Sequence, residues 1–228
     1  MGEFMRYAMY VVPEGELFLR ASDWLGWNSE TGEKTYHPLV EGLPAPPQNL
    51  TETPRKYGFH GTIKPPFRLA EGTDLSTFQS ALEAACAGIA PVVIPKLTVH
   101  RLGGFVAMVP EEPSADLADL AGSIVTGLDD HRAPLSEADL ERRRKTGLSA
   151  RQEELLQAWG YPYVLDEFRY HMTLTGRLPE EDADQTVARL SDHFADLLAK
   201  PFRIGSLGLL GEAEDGRFHL IHRYALTG

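Results

Sequence analysis

Of the eight histidines in this chain, only His60 and His171 are followed two positions later by Ser or Thr, giving His60-Gly61-Thr62 and His171-Met172-Thr173. About one such match is expected by chance, so the placement of the two motifs matters more than their number. In a strand, residues i and i+2 project to the same face. His60 therefore shares a face with Thr62, and His171 with Thr173. Continuing the period adds Lys64 to the first pair and Arg169 to the second. Each segment offers an imidazole, a hydroxyl and a cation. An imidazole with a pKa near 6.5 can take and give a proton around neutrality. Two of them on opposite sides of a phosphorus support in-line displacement: one deprotonates water, the other protonates the departing alkoxide. Thr62 and Thr173 can donate to the non-bridging oxygens, and Lys64 and Arg169 can offset the charge that builds there. This chemistry requires no metal and no cofactor.

A metal held between the two histidines is the competing reading of the pair, but no Asp or Glu lies at ligand spacing to either. His219 and His222 fall on opposite faces of an expected strand. His100 precedes Arg101, which could reach a cleft or stay on the surface. His37, His131 and His193 carry no assigned role. The single cysteine, Cys86, sits in an alanine-rich helical stretch and reads as a small core residue.

These residues need elements to position them. Arg6–Val12, Tyr57–Ile63 and Phe168–Leu174 read as strands, with Pro65-Pro66 closing the second. The stretch 21–54 is rich in Gly, Pro, Asn and Thr and reads as irregular, with one short helix at most. Helical spacing covers 74–87, 115–128 and 180–198, the last opened by Pro179. Strands 92–100 and 105–109 turn at Gly103-Gly104, and strands 202–210 and 217–225 turn at Glu214-Asp215-Gly216. Ser136-x-x-Asp139 and Ser149-x-x-Gln152 read as capping boxes of two short helices. Arg142-Arg143-Arg144-Lys145 ends the first, as a solvated helix end or as a phosphate-binding patch.

The order strand, helix, hairpin occurs twice, and each repeat opens with a His-x-Thr strand. His60 precedes Val92 by about as many residues as His171 precedes Phe202. Two related lobes in one α+β domain over 5–228 follow, with a helical insertion around 129–160 and the motifs near 57–67 and 168–176 facing each other. Residues 1–4, ahead of Met5, read as a segment added in cloning.

With a net charge of −11, the chain lacks the basic balance of proteins that track long nucleic acids. Any anionic substrate is then small and held by a local group of cations. The segment Arg55-Lys56-Tyr57-Gly58-Phe59-His60-Gly61-Thr62-Ile63-Lys64 concentrates cations and aromatics in an otherwise acidic chain, and Tyr57 is assigned to substrate binding with them. No apolar run reaches the roughly 18 residues of a membrane span, and the cysteine usage fits a reducing cytoplasm.

Paired His-x-Thr motifs on strands of a duplicated unit resemble the 2H phosphoesterase superfamily. The segments Tyr57-Gly58-Phe59-His60-Gly61-Thr62-Ile63-Lys64-Pro65-Pro66-Phe67-Arg68-Leu69, Leu102-Gly103-Gly104-Phe105, Trp159-Gly160-Tyr161-Pro162-Tyr163-Val164 and Phe168 to Gly176 are similar to the 2H proteins of bacterial phosphonate-utilisation operons. The resemblance implies a bilobal fold with antiparallel sheets lining a central cleft. It implies catalytic roles for His60, Thr62, His171 and Thr173. It also implies a small cyclic phosphodiester substrate, such as 5-phosphoribosyl 1,2-cyclic phosphate, which would open to ribose 1,5-bisphosphate. Lys64, Arg101 and Arg169 are then the expected cations for the 5-phosphate. A 2′,3′-cyclic phosphodiesterase acting on nucleotides or RNA ends and a non-catalytic phosphometabolite-binding module are the alternatives. Which histidine is base and which acid stays open.

Overall fold

The computed structural model describes residues 4–145 and 147–228. The cloned-segment reading of 1–4 falls largely outside them; Phe4, which is described, packs its ring beside Tyr7 and against Gly211. Buried on both faces, β1 (Tyr7–Val11) is a central strand without polar alternation. It leads into α1 (Gly15–Leu25), a helix the composition of this region hides. Phe18, Ala21, Ser22 and Leu25 nevertheless recur at helical spacing and are buried, and Gly26, at φ 80°, ends it in the left-handed conformation. The irregular chain that follows carries the single-turn helices α2 (Pro47–Leu50) and α3 (Glu52–Arg55).

The second strand, β2, runs Gly61–Phe67 rather than Tyr57–Ile63. Gly58, at φ 71°, bends the chain just ahead of it, where a Cβ would strike Ser29. His60 therefore sits at the strand's entrance. Pro65 and Pro66 lie inside β2 rather than closing it. They fall in a β-bulge opposite β1, between the pairs Met9↔Lys64 and Tyr7↔Phe67.

Next come α4 (Leu75–Ala87), N-capped by Asp74, and β3 (Val92–Ile94). The hairpin β4 (Leu97–Leu102) and β5 (Phe105–Pro110) precedes α5 (Ala115–Gly127), N-capped by Ser114. The insertion supplies α6 (Glu137–Arg144) and α7 (Ala150–Trp159), capped by Ser136 and Ser149 as their spacing predicts. Only at Ser149 does the N3 side chain complete the reciprocal box. The second motif strand, β6, is just Met172–Thr173. The helices α8 (Glu180–His193) and α9 (Ala195–Leu198) lead to β7 (Phe202–Ile204), β8 (Ser206–Glu212) and β9 (Phe218–Ala225).

The molecule is α+β and its strand pairs are antiparallel. Strands of both repeats share a seven-stranded sheet in the order β4-β5-β6-β2-β1-β8-β9, with a hairpin at each end. The two repeats meet twice through equivalent elements: β2 pairs with β6, and β3 pairs with β7 in a separate two-stranded sheet. One face of the large sheet carries Met9, Val11, Ile63, Met108, Met172 and Leu209 in the main core, beneath α4, α5 and α8. The other face carries Ala8, Tyr10, Val12, Leu210 and Phe218. The His-x-Thr motifs belong to this second face.

Candidate active site

Gly61 of β2 pairs with Met172 of β6. In an antiparallel ladder that pairing sets Thr62 opposite His171 and His60 opposite Thr173, with the four side chains on one face and Gly61 and Met172 on the other. Directly opposed residues in such a pair have Cβ atoms about 5 Å apart. The register alone thus gathers both motifs into one patch. Tyr10 of β1 pairs with Thr62 from the other side and adds its ring to the patch.

The residue between each His and Thr faces the core. At Gly61 this is restrictive, because a Cβ there would lie 2.4 Å from the ring of Tyr170. Glycine lets the Tyr170 ring lie flat against the strand behind the motif.

Both imidazoles are held in the same way. His60 Nδ1 lies 2.9 Å from the carbonyl oxygen of Gly58, and His171 Nδ1 lies 2.7 Å from that of Arg169. A carbonyl can only accept, so in each ring Nδ1–H donates and Nε2 is left to face the patch, as a lone pair when the ring is neutral and as an N–H donor when it is protonated. In both cases the carbonyl belongs to the residue two before the histidine. At His60 the lone pair meets the Thr62 hydroxyl, Oγ1 to Nε2 being 3.2 Å. The His60 ring also stacks on Tyr10, with centroids 3.7 Å apart and planes 20° off parallel. Burial lowers the His60 pKa from 6.5 to about 4; the Gly58 carbonyl opposes the shift, and the neighbouring charge of His171 adds to it. Beside His171 lies the ring of Phe105, 5.6 Å between centroids.

The patch opens into a cavity of about 820 Å³ whose walls include Tyr10, Tyr57, His60, Thr62, Thr173 and Thr175. Tyr57 lies between His60 and Phe218. His171 is not part of the cavity wall; the β2–β6 register places it beside Thr62.

The three cations expected at the site are elsewhere. Lys64 is buried, and its Nζ donates to the Val125 carbonyl and to Asp129, each at 3.0 Å. A second register shift in β2, at Ile63 just ahead of the bulge at Pro65 and Pro66, is the reason. Adjacent residues Met9 and Tyr10 pair with Lys64 and Thr62, so the extra residue in β2 breaks the alternation and turns Lys64 to the core side with Met9. Burial lowers the Lys64 pKa, against the pull of Asp129. Arg169 is exposed and folds its guanidinium onto the carbonyls of Asp166 and Phe168. Arg101 pairs with Glu180 and Asp184 of α8, away from the cavity.

Other cations line the cavity instead: Arg6, Lys56, Arg68, Arg142 and Arg143. Arg6 is held by both carboxylate oxygens of Glu212. Asp139, with its side chain mostly buried, holds Arg142 and Arg68 and accepts from Ser136. Arg143 lies over the ring of Tyr161, 4.9 Å from its centroid. The cationic run at the end of α6 and the Arg55-Lys56 segment are the sequence signals for this group, and the first two residues of the run, Arg142 and Arg143, line the cavity. Arg144 turns away to Glu153.

Among the described residues, no group of three His, Cys, Asp or Glu side chains is placed to hold a metal ion, and no helix is long and apolar enough to cross a membrane. Cys86 is buried in the core, its thiol pKa pushed up to about 11 by burial.

The model of a family described as "Protein of unknown function (DUF1045)" matches residues 62–219. Two curated relatives, each named "Ribose 1,5-bisphosphate phosphokinase PhnN", are similar to nearly all of the chain. The one from Janthinobacterium sp. (strain Marseille) is 38% identical over 218 residues, covering 92% of this chain and 48% of that protein. The one from Laribacter hongkongensis (strain HLHK9) is 34% identical over 214 residues, covering 93% and 49%. The chain spans about half the length of these relatives. Among solved structures, a protein described as a phosphoesterase aligns at 15% identity and TM-score 0.45, over 99% of this chain and all of that one. E. coli LigT in apo form aligns at 12% identity and TM-score 0.46, over the full length of both chains.

Proposed function

The chain belongs to the DUF1045 family of proteins of unknown function, and on that premise we propose that it is a phosphodiesterase that opens a small cyclic phosphate by two-histidine acid–base catalysis. The observation that carries this reading is the Gly61↔Met172 register, which collects His60, Thr62, His171 and Thr173 on one face beside a cation-lined cavity.

His60, neutral in the free protein well below neutral pH, is the base. Its Nε2 exchanges the Thr62 hydroxyl for a water molecule and takes that water's proton as the oxygen attacks phosphorus. The bond from phosphorus to the ring oxygen breaks, and His171 Nε2–H supplies the proton that the departing oxygen needs. Thr62 and Thr173 donate to the non-bridging oxygens. The fixed Nδ1–H bonds to Gly58 and Arg169 keep each Nε2 aimed at the reacting atoms without a carboxylate partner.

The proposed substrate is 5-phosphoribosyl 1,2-cyclic phosphate. Cleavage of its phosphorus–O2 bond gives ribose 1,5-bisphosphate, the compound in the relatives' name. The chain matches about half of those relatives and contains no Gly-Lys dipeptide, hence no Gly-x-x-x-x-Gly-Lys-Ser/Thr nucleotide loop. A half that forms ribose 1,5-bisphosphate without ATP is consistent with both facts.

The test is turnover of a panel of cyclic phosphates, this compound and nucleoside 2′,3′-cyclic phosphates included, without ATP and followed by phosphorus NMR. The cyclic diester signal is expected to give way to a second phosphomonoester signal. His60→Ala and His171→Ala are each expected to lower kcat by at least about a hundredfold while circular dichroism stays native. Full activity in either variant, or no turnover of any member of the panel, sinks the proposal.

A further inference from the structure

The cavity is larger than one phosphoryl group needs, and its cations come from segments far apart in sequence: Arg6 before β1, Arg68 after β2, and Arg142 and Arg143 on α6. The helix α6 has no buried residue. What anchors it beside the cavity is polar: Asp139 to Arg68, and Arg143 over Tyr161. A helix without an apolar stripe contributes little to a core. This one instead delivers two guanidinium groups to the cavity wall.

The braces show how those groups are presented. Asp139 engages Arg142 through one terminal nitrogen and Arg68 through another, and Glu212 engages Arg6 through Nε and one terminal nitrogen. A guanidinium has five N–H donors, and the bonds to Asp139 and Glu212 engage one or two of them in Arg142, Arg68 and Arg6 while fixing the direction of each group. Planar forks of this kind match phosphate oxygens better than an ammonium does. In a chain of net charge −11, the cavity wall is net positive, its four arginines and Lys56 outnumbering Asp139, Glu212 and Glu214, which favours an anion there.

We propose that Arg142 and Arg143 of α6, with Arg68 and Arg6, form a second anion site that binds a phosphomonoester carried by the substrate away from its cyclic phosphate. Asp139 is a positioning residue that holds Arg142 and Arg68 toward that group. The site makes the protein selective for a doubly phosphorylated substrate. This inference rests on the cyclic phosphodiesterase reading and assigns the distal phosphate to residues other than Lys64, Arg101 and Arg169.

The experiment compares kcat/KM for 5-phosphoribosyl 1,2-cyclic phosphate with kcat/KM for ribose 1,2-cyclic phosphate, which lacks the 5-phosphate. In the unaltered protein the ratio is expected to favour the first. Arg142→Gln and Arg143→Gln are each expected to reduce that ratio about tenfold or more, the size of one charge-assisted hydrogen bond. Arg142→Lys is expected to recover part of it, and Asp139→Asn to lower it through a raised KM. A ratio near one in the unaltered protein, or one unmoved by either glutamine variant, overturns the second site while leaving the phosphodiesterase reading intact. Calorimetric binding of ribose 5-phosphate separates the two ideas from the other side. Binding that disappears in Arg142→Gln supports the anion site even if no cyclic phosphate turns over, and binding unaffected by that variant counts against it.

Discussion

At His60, the contacts that prepare the ring for catalysis also set how the protein responds to pH. Burial favours the neutral ring and the neighbouring charge of His171 adds to it, holding the pKa at about 4 against 6.5 for a free side chain. If His60 is the base, kcat/KM should not decline as pH falls through 6.5, and the limb that His60 contributes should lie near pH 4. A rate profile with its acid limb at 6.5 from the His60 titration, traced by its loss in a His60 variant, would contradict the assignment. The same shift has a stability cost of definite sign. Between pH 6.5 and 4 the unfolded chain binds a proton at this position and the folded chain does not. Stability therefore falls as pH falls through that window, by something on the order of 2 kcal/mol at pH 5. Urea unfolding at pH 7 and pH 5 should show this loss in the unaltered protein and a smaller one in His60→Asn. The histidines themselves were legible from their spacing to Thr62 and Thr173. The ring environment was not, because Tyr10 lies on a strand fifty positions earlier in the sequence and meets the motif only through pairing.

Two features of β2 decide what its motif can reach. Gly61 is the point where β2 meets β6, and its missing side chain makes room for the Tyr170 ring. Gly61→Ala should destabilise the protein by about 1–3 kcal/mol through overpacking against the Tyr170 ring and should lower kcat, because the added methyl lies where β2 pairs with β6. Native stability with full activity would show that the ring yields freely. The register shift at Ile63 is the second feature. It turns Lys64 inward onto Asp129, which Arg132 also holds. Removing that carboxylate leaves a buried ammonium with only the Val125 carbonyl. Asp129→Ala should therefore lower stability by about 3–5 kcal/mol, and Lys64→Met added to it should recover much of the loss. Equal stability of the single and double variants would contradict this. Helix caps at Ser136 and Ser149 were readable because they are local hydrogen bonds. The extent of β2 and β6 was less so. Period-2 alternation shows which residues could form a strand, but partner strands decide where pairing starts, and a bulge is a property of two chains at once.

Across the whole molecule, negative charge is spread over the chain and the cavity gathers cations. A small, compact anion experiences the cavity; a long polyanion experiences the acidic exterior as well. A single-stranded RNA oligonucleotide without a cyclic phosphate end is expected to be a poor competitor of cyclic phosphate turnover at physiological salt, measured as an inhibition constant. Tight, steeply salt-dependent competition would instead favour an RNA substrate. The paired His-x-Thr motifs, the repeated strand–helix–hairpin order, the α+β class and the helical insertion are all determined by the sequence alone, since each depends on residue type and on spacing along one segment. The tertiary structure decided the union of both repeats in one sheet, the facing of the motifs through Gly61 and Met172, and the loss of Lys64, Arg101 and Arg169 from the site. It also decided the gain of Arg6, Arg68, Arg142 and Arg143. The physical reason is that a strand's period tells which side chains share a face, whereas the register, the bulge and the packing of distant segments determine which faces meet.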